Sequence, residues 1–457
     1  MDKLPLKMKL IYSMGNLGIA IVTVMHMFYL VYFFFPPKDA GIPYLIPQTS
    51  LFMGLTLLGL IMALSRLTDA FLDPVIANFS DRLNHRLGKR IPMMRWAALP
   101  FSLCYLLVFF VPVSDGVSII NVIWLVGFLL LSAVFFTSYM IPFYSLMVDI
   151  AKTSHDKVDL GTISSAFWFA GFLFVSFTPS LWSVVGETFD VERVWAIRIT
   201  FAFVAVVGLT FLMVPALLID ERKYADTSVV RVQHKVLPSL KRVMKNRSFR
   251  YYLAGNTAYT MATSMFEVGL IYYITVLAMQ DPGFQGPLTM IIGALTLACY
   301  PLINKMAKGR GKSYVLKLSL FLFSMTFLVI STFGAVDVNI YILFGLTVLL
   351  SPFAQAAFGI LPHVMTSDCA AYDAYKTGEN RAGMYIGING FFAKLGGSLG
   401  MIMFTSLLLF GKDVGDDMGI RFATLFGAGI AIVGLLFLLR YNEEEILSYT
   451  EAHKKQP

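Results

Sequence analysis

Asp69 and Asp73 stand in the stretch Ser65-Arg66-Leu67-Thr68-Asp69-Ala70-Phe71-Leu72-Asp73-Pro74, inside an otherwise apolar segment long enough to cross a bilayer. An ionised carboxylate there is costly without a partner or a water-filled cavity, so two of them make a cation pathway the leading expectation. On a helix the acids are four residues apart and share one face, with Arg66 one turn before Asp69 on the same stripe. Carboxylate oxygens so placed can bind Na+ or exchange a proton, while Arg66 offsets their charge when no cation is bound. The competing reading is a structural ion pair between Arg66 and one acid. Two acids against one base leave a charge over, which favours function.

The elements that must position this stripe are membrane helices. The chain has 457 residues, 57% hydrophobic and 14% charged, with a mean hydropathy of +0.71, too apolar for a soluble protein of this size. Runs such as 10–37, 116–148 and 422–439 contain no Asp, Glu, Lys or Arg, and continuous apolar runs of roughly 20 residues or more specify spanning helices instead of the short alternating segments of a barrel. The expected fold class is all-α integral membrane, with about twelve transmembrane helices near 10–35, 45–76, 93–112, 118–148, 161–186, 196–219, 251–279, 284–305, 315–335, 339–364, 383–410 and 420–440. Lys3, Lys7 and Lys9 precede a long apolar run without a small-residue cleavage site, which reads as a retained first helix. With the N-terminus in the cytoplasm, roughly 29 Lys and Arg fall on inner segments and about 4 on outer ones, the asymmetry of a bacterial inner-membrane (plasma-membrane) protein with both termini cytoplasmic. The net charge of +8 is then topogenic, and nucleic acid is not an expected partner. Cys104, Cys299 and Cys369 are odd in number and widely separated, so neither a disulfide framework nor a metal beyond Na+ is expected. No nucleotide-binding loop or nucleophile elbow appears, which argues against ATP-driven transport and enzymatic hydrolysis.

The longest polar interruption, 220–250, is rich in Lys and Arg and divides the hydrophobic segments six and six. The expected organisation is an N-terminal bundle 1–219 with the cation site, a cytoplasmic central loop 220–250, a C-terminal bundle 251–440 and a cytoplasmic tail 441–457. Gly88-Lys89-Arg90 after the second segment is echoed by Gly309-Arg310-Gly311-Lys312 after the eighth. Such duplication is the plan of major facilitator transporters, with the substrate path between halves.

The motif Arg66-x-x-Asp69-Ala70-x-x-Asp73-Pro74 resembles the second-helix signature of the glycoside-pentoside-hexuronide cation symporters, the melibiose permease group. The likeness extends to Tyr12-Ser13-Met14-Gly15, Ile141-Pro142-Phe143-Tyr144-Ser145-Leu146, Gly378-Glu379-x-Arg381-x-Gly383 and Phe391-Phe392-Ala393-Lys394-x-Gly396-Gly397, and covers most of the chain. It implies that Asp69, Asp73 and, by position, Thr137 form the cation site, with Lys394 approaching it. Members that use Na+ have an Asn where this chain has Leu72, so one oxygen ligand is missing and H+ coupling stays open beside Na+. On the substrate side, acids that hydrogen-bond the sugar in melibiose-type members align with Ala20 and Met140, a helping Arg aligns with Ser164, and the aromatic platform of the tenth helix aligns near Gly359. Sugar hydroxyls need buried partners, so these departures alter the pocket. Tyr144 keeps an aromatic surface.

Asn16, His26, Met140, Tyr144, Ser164, Glu267, His363 and Asn389 are the candidate substrate contacts. The ordinary alternative for an intramembrane Asn or His is a hydrogen bond to a neighbouring helix, and for Glu267 it is an ion pair with Lys394. Asp81, Arg82, Arg86, Lys89 and Arg90 resemble the major facilitator loop motif and read as a cytoplasmic gate, mirrored by Asp149, Asp368, Glu379 and Arg381. The leading function is secondary active symport of a sugar or glycoside with Na+ or H+ by alternating access, the protein acting as a monomer in contact with membrane lipids and needing no cofactor beyond the coupling ion. The alternatives are a cation-coupled lysophospholipid or amphiphile transporter, and a membrane sensor or partner-binding protein that does not transport.

Overall fold

The computed structural model describes residues 4–454 apart from 53, 84, 152–153, 225–241 and 378–380. The chain divides into two compact units, Met1–Val230 with Gln280–Thr289, and Arg231–Met279 with Met290–Pro457.

The first unit contains α1 (Leu6–Phe34), α2 (Leu57–Arg82), α3 (Ile91–Leu107), α4 (Ile119–Ile150), α5 (Ser154–Ser176), α6 (Thr178–Phe189), α7 (Arg193–Leu218) and the short α8 (Glu221–Tyr224). Apolar on every side, α1 is buried almost throughout against α5 and α7, as expected of a helix without a polar face. Its backbone approaches α7 closely: a Cβ on Gly18 would lie 2.6 Å from the Leu212 nitrogen, so a side chain there would force the helices apart. Polar ties add register, with the Tyr12 hydroxyl donating to the Phe143 carbonyl at 3.1 Å and the Tyr29 hydroxyl to the Val175 carbonyl at 3.0 Å. At one end of α1, the buried Lys9 bridges Asp156 and Asp159 of α5 at 2.8 and 2.6 Å.

The second unit repeats this plan with α9 (Arg247–Tyr272, continued by a π turn at Tyr273–Leu277), α10 (Gln285–Arg310, of which the part from Met290 on belongs to this unit), α11 (Lys312–Ser331), α12 (Ile340–Thr377), α13 (Ala382–Leu407), α14 (Met418–Leu439) and the tail helix α15 (Glu443–Lys454). Here α9 takes the place of α1, packing on α13 and α14, and α11 packs on α12 and α14 as α3 packs on α4 and α7. A Cβ on Gly400 would come within 2.3 Å of the Met261 carbonyl oxygen, the same small-residue approach in the repeat.

Ten helical segments among the described residues are long and apolar enough to cross a membrane. With α2, whose middle carries Arg66, Asp69 and Asp73, and the shorter α3, they make the twelve expected. Three boundaries differ from expectation. The second helix begins at Leu57 and not near 45, because Pro43, Pro47 and Gly54 (φ +80°) interrupt the apolar run and residues 50–56 form a small antiparallel hairpin, β1 (Ser50–Phe52) and β2 (Leu55–Thr56). Thr56 then caps α2, its Oγ1 accepting from the Gly59 N–H at 3.1 Å. The fifth span breaks at Phe177, ahead of Pro179. The tenth runs on to Thr377 instead of ending near 364, because α15 covers its extension, where Tyr372 and Tyr449 pack edge to face at 5.0 Å.

Candidate functional site

In the first unit, α2 presents the acidic stripe to α4. Ser65 Oγ ties the two helices by donating to the Leu129 carbonyl at 3.1 Å. One turn further along α2, Asp69 is only 3% exposed and accepts a hydrogen bond at Oδ1 from Oγ1 of Thr137, itself 1% exposed. Asp73 follows half-buried, and the intervening Leu72 contributes no oxygen. Arg66 is exposed, and among the described residues it forms no ion pair, so a structural clamp of Arg66 on either acid is not formed. A buried carboxylate and hydroxyl at Asp69 and Thr137, with the half-buried Asp73 one turn along the helix, are oxygen donors suited to a hard monovalent cation completed by water, or to a proton. Among the described residues no cluster of three or more His, Cys, Asp or Glu could hold a metal.

The candidate substrate residues separate into buried ties and accessible walls. His26 is packed between α1 and α3, its Nε2 2.5 Å from the Tyr105 carbonyl and its ring 4.1 Å from that of Tyr105. Asn389 accepts from Asn256 Nδ2 at 3.0 Å, joining α13 to α9. Ser164 Oγ meets Ser13 Oγ at 3.2 Å between α5 and α1. These three serve interhelical hydrogen bonding, the ordinary use of such groups in a membrane. Met140 packs on the hydrophobic cluster of the first unit. Asn16 is buried on α1, whereas Tyr144, 48% exposed, and His363 offer accessible surface. Glu267 is half-buried on α9 and has no ion pair among the described residues, so a pair with Lys394 is not formed. Lys394 is half-buried on α13.

The basic loops hold a paired arrangement that the sequence reading only half anticipated. Arg90 is buried, with Nε 3.2 Å from Asp149 Oδ2 and Nη1 donating to Ser80 Oγ at 2.7 Å. The backbone N–H groups of Lys89, Arg90 and Ile91 donate to the carboxylate of Glu221 at 2.7, 2.8 and 2.9 Å. An anion at the start of α3 satisfies the orphan donors and complements the helix dipole. Gly88 has φ +111°, and a Cβ there would lie 2.3 Å from Glu221 Cδ, so the loop requires glycine. In the second unit the N–H groups of Lys312 and Ser313 donate to Glu443 at 3.0 and 2.7 Å, Gly311 has φ +90°, and Lys312 Nζ meets Asp368 at 2.6 Å. Arg381 pairs with Asp373 at 3.0 Å. Arg82, Arg86 and Lys89 have exposed side chains. Asp81 falls on α2 with its side chain outside the described residues, as is Glu379 entirely. Glu221 and Glu443 were missed. The available signal was an acid a few residues past the sixth and the twelfth hydrophobic runs, 132 and 131 residues beyond the loop lysine each serves.

Comparison with known proteins agrees with this architecture. The family model described as MFS/sugar transport protein matches residues 11–445. A protein of Synechocystis sp. named "Uncharacterized symporter sll1374" is 28% identical over 174 residues, 37% of this chain and 30% of that protein's length. The isoprimeverose transporter of Lactiplantibacillus pentosus is 22% identical over 399 residues, 83% of this chain and 80% of that one. Among solved structures, that of the nucleoside transporter NupG superposes with a TM-score of 0.63 at 14% identity, covering 95% of this chain and all of that one, a likeness of fold. The duplicated helical units and the family match over nearly the whole chain lead to one conclusion: this is a multi-pass membrane transport protein, not an enzyme, and it belongs to the MFS/sugar transport family.

Proposed function

We propose that the protein is a secondary active symporter that couples Na+ or H+ to a sugar or glycoside by alternating access. The observation that carries this reading is the buried Asp69–Thr137 pair, with Asp73 one turn along the same helix. Cation binding there lowers the free energy of keeping two carboxylates inside the bundle, which favours the substrate-competent state. The MFS/sugar transport match and a relative named as an isoprimeverose transporter support a sugar as cargo. In this reading residues 1–219 form the cation-binding bundle, 251–440 the second bundle, 220–250 and 441–457 lie in the cytoplasm, and the monomer operates in the bacterial inner membrane. The Gly88 and Gly311 loops, with Arg90–Asp149 and Lys312–Asp368, form the cytoplasmic gate.

The test is isoprimeverose uptake by proteoliposomes under an imposed Na+ gradient, an imposed pH gradient, or neither. Accumulation above equilibrium under one gradient, abolished by Asp69→Asn, is expected. Uptake that never exceeds equilibrium, or that is indifferent to the substitution, would overturn the proposal.

A further inference from the structure

By the resemblance to the melibiose permease group, Ala20 and Met140 stand where sugar-binding acids are expected, and Gly359 where an aromatic platform is expected. In the second unit, both chemistries occur on other helices. Tyr259, Thr263 and Glu267 recur every four residues along α9 and so line one face. Tyr300 lies on α10. Glu267 has no ion pair or hydrogen bond among the described residues, and the buried Thr263 hydroxyl is turned to the Tyr259 side chain one turn away. Tyr259 is fixed by stacking on Phe358, with ring centroids 3.6 Å apart and planes at 8°. A Cβ on Gly359 would lie 3.6 Å from the Tyr300 hydroxyl, so Tyr300 covers the spot where the platform is missing.

We infer that Glu267, Thr263 and Tyr300, braced by the Tyr259–Phe358 stack, form the sugar-binding face of the second unit, with the carboxyl group of Glu267 hydrogen-bonding vicinal hydroxyls. A carboxyl group held inside a membrane bundle with no basic partner calls for hydrogen-bond partners, and a sugar supplies several hydroxyls. The Tyr300 ring at Gly359 gives the apolar face of a pyranose a surface. This inference rests on the sugar-symport reading and assigns its selectivity to the second unit.

The experiment measures binding of isoprimeverose and of p-nitrophenyl α-D-xyloside to the purified full chain, calorimetrically, for the wild type, Glu267→Gln, Thr263→Val and Tyr300→Phe. The unliganded melting temperature and the cation response at Asp69 are recorded for each as folding controls. The expected result is a Kd raised tenfold or more by Glu267→Gln and several-fold by Tyr300→Phe, with both controls unchanged. If the wild type binds a glycoside and all three variants bind it equally well, this inference falls while sugar symport stands. Loss of only the pH dependence of binding in Glu267→Gln would equally overturn it, because the residue would then carry a proton and not a sugar. If the wild type binds neither glycoside, sugar symport falls and this inference with it. Should Glu267→Gln fail to fold, Thr263→Val and Tyr300→Phe decide on the same criteria.

Discussion

Glu221→Ala should destabilise the first unit more than Glu443→Ala destabilises the second. Glu221 is 4% exposed and accepts three backbone N–H groups at the start of α3, all at 2.9 Å or less. Glu443 accepts two, at 3.0 and 2.7 Å, from the start of α11. A hydrogen bond to a charged acceptor contributes about 1.5–3 kcal/mol, and truncation leaves its donors buried and unpaired. At the lower figure, Glu221→Ala loses about 4.5 kcal/mol and Glu443→Ala about 3 kcal/mol. For units of this size each kcal/mol moves the melting temperature by about 2–4 °C, so the first variant should fall by about 10 °C or more. Glu221→Gln keeps an acceptor oxygen and loses the charge, and should lie between wild type and Glu221→Ala. The assay is thermal unfolding in detergent, followed by exposure of the buried Cys104 in the first unit and Cys369 in the second to a thiol-reactive dye. A shift below about 3 °C for Glu221→Ala, or a larger effect of Glu443→Ala on its own unit, would refute the reasoning that anion capping holds these loops.

Two further outcomes follow from the same geometry. Thr137→Val removes the donor to Asp69 and should weaken cation binding about tenfold, while Thr137→Ser restores it; cation-dependent thermal stabilisation reads both. Gly88→Ala places a Cβ against Glu221 at φ +111° and should destabilise by about 2 kcal/mol or more, whereas Gly116→Ala, with nothing within 4 Å of its Cβ, should be near neutral in the same melting assay.

The helices were legible because hydrophobic run length is set by the bilayer and needs no tertiary information. The hairpin before α2 was not, although Pro43, Pro47 and Gly54 mark it in the sequence; the apolar residues around them masked the break. The extension of α12 past Pro362 depends on cover from α15, more than sixty residues downstream, and only the folded chain brings them together. The acidic stripe was legible because a charge in an apolar helix stands out locally. The use of His26, Ser164 and Asn389 as interhelical ties was not, since their partners Tyr105, Ser13 and Asn256 lie on other helices. Glu221 and Glu443 escaped notice for a similar reason: an acid in a polar loop looks ordinary until the glycine turn it fills is beside it.

The central claim is that a cation on Asp69 and Asp73 is coupled to substrate binding. Linkage requires the factor by which cation tightens substrate to equal the factor by which substrate tightens cation. The most direct measurement is therefore a pair of titrations of the purified protein, isoprimeverose with and without saturating Na+ or at two proton concentrations, and the cation with and without saturating isoprimeverose. Equal factors well above one are expected for Na+ or for H+, collapsing to one in Asp69→Asn. Substrate affinity indifferent to both ions, or coupling that survives in Asp69→Asn, would contradict it.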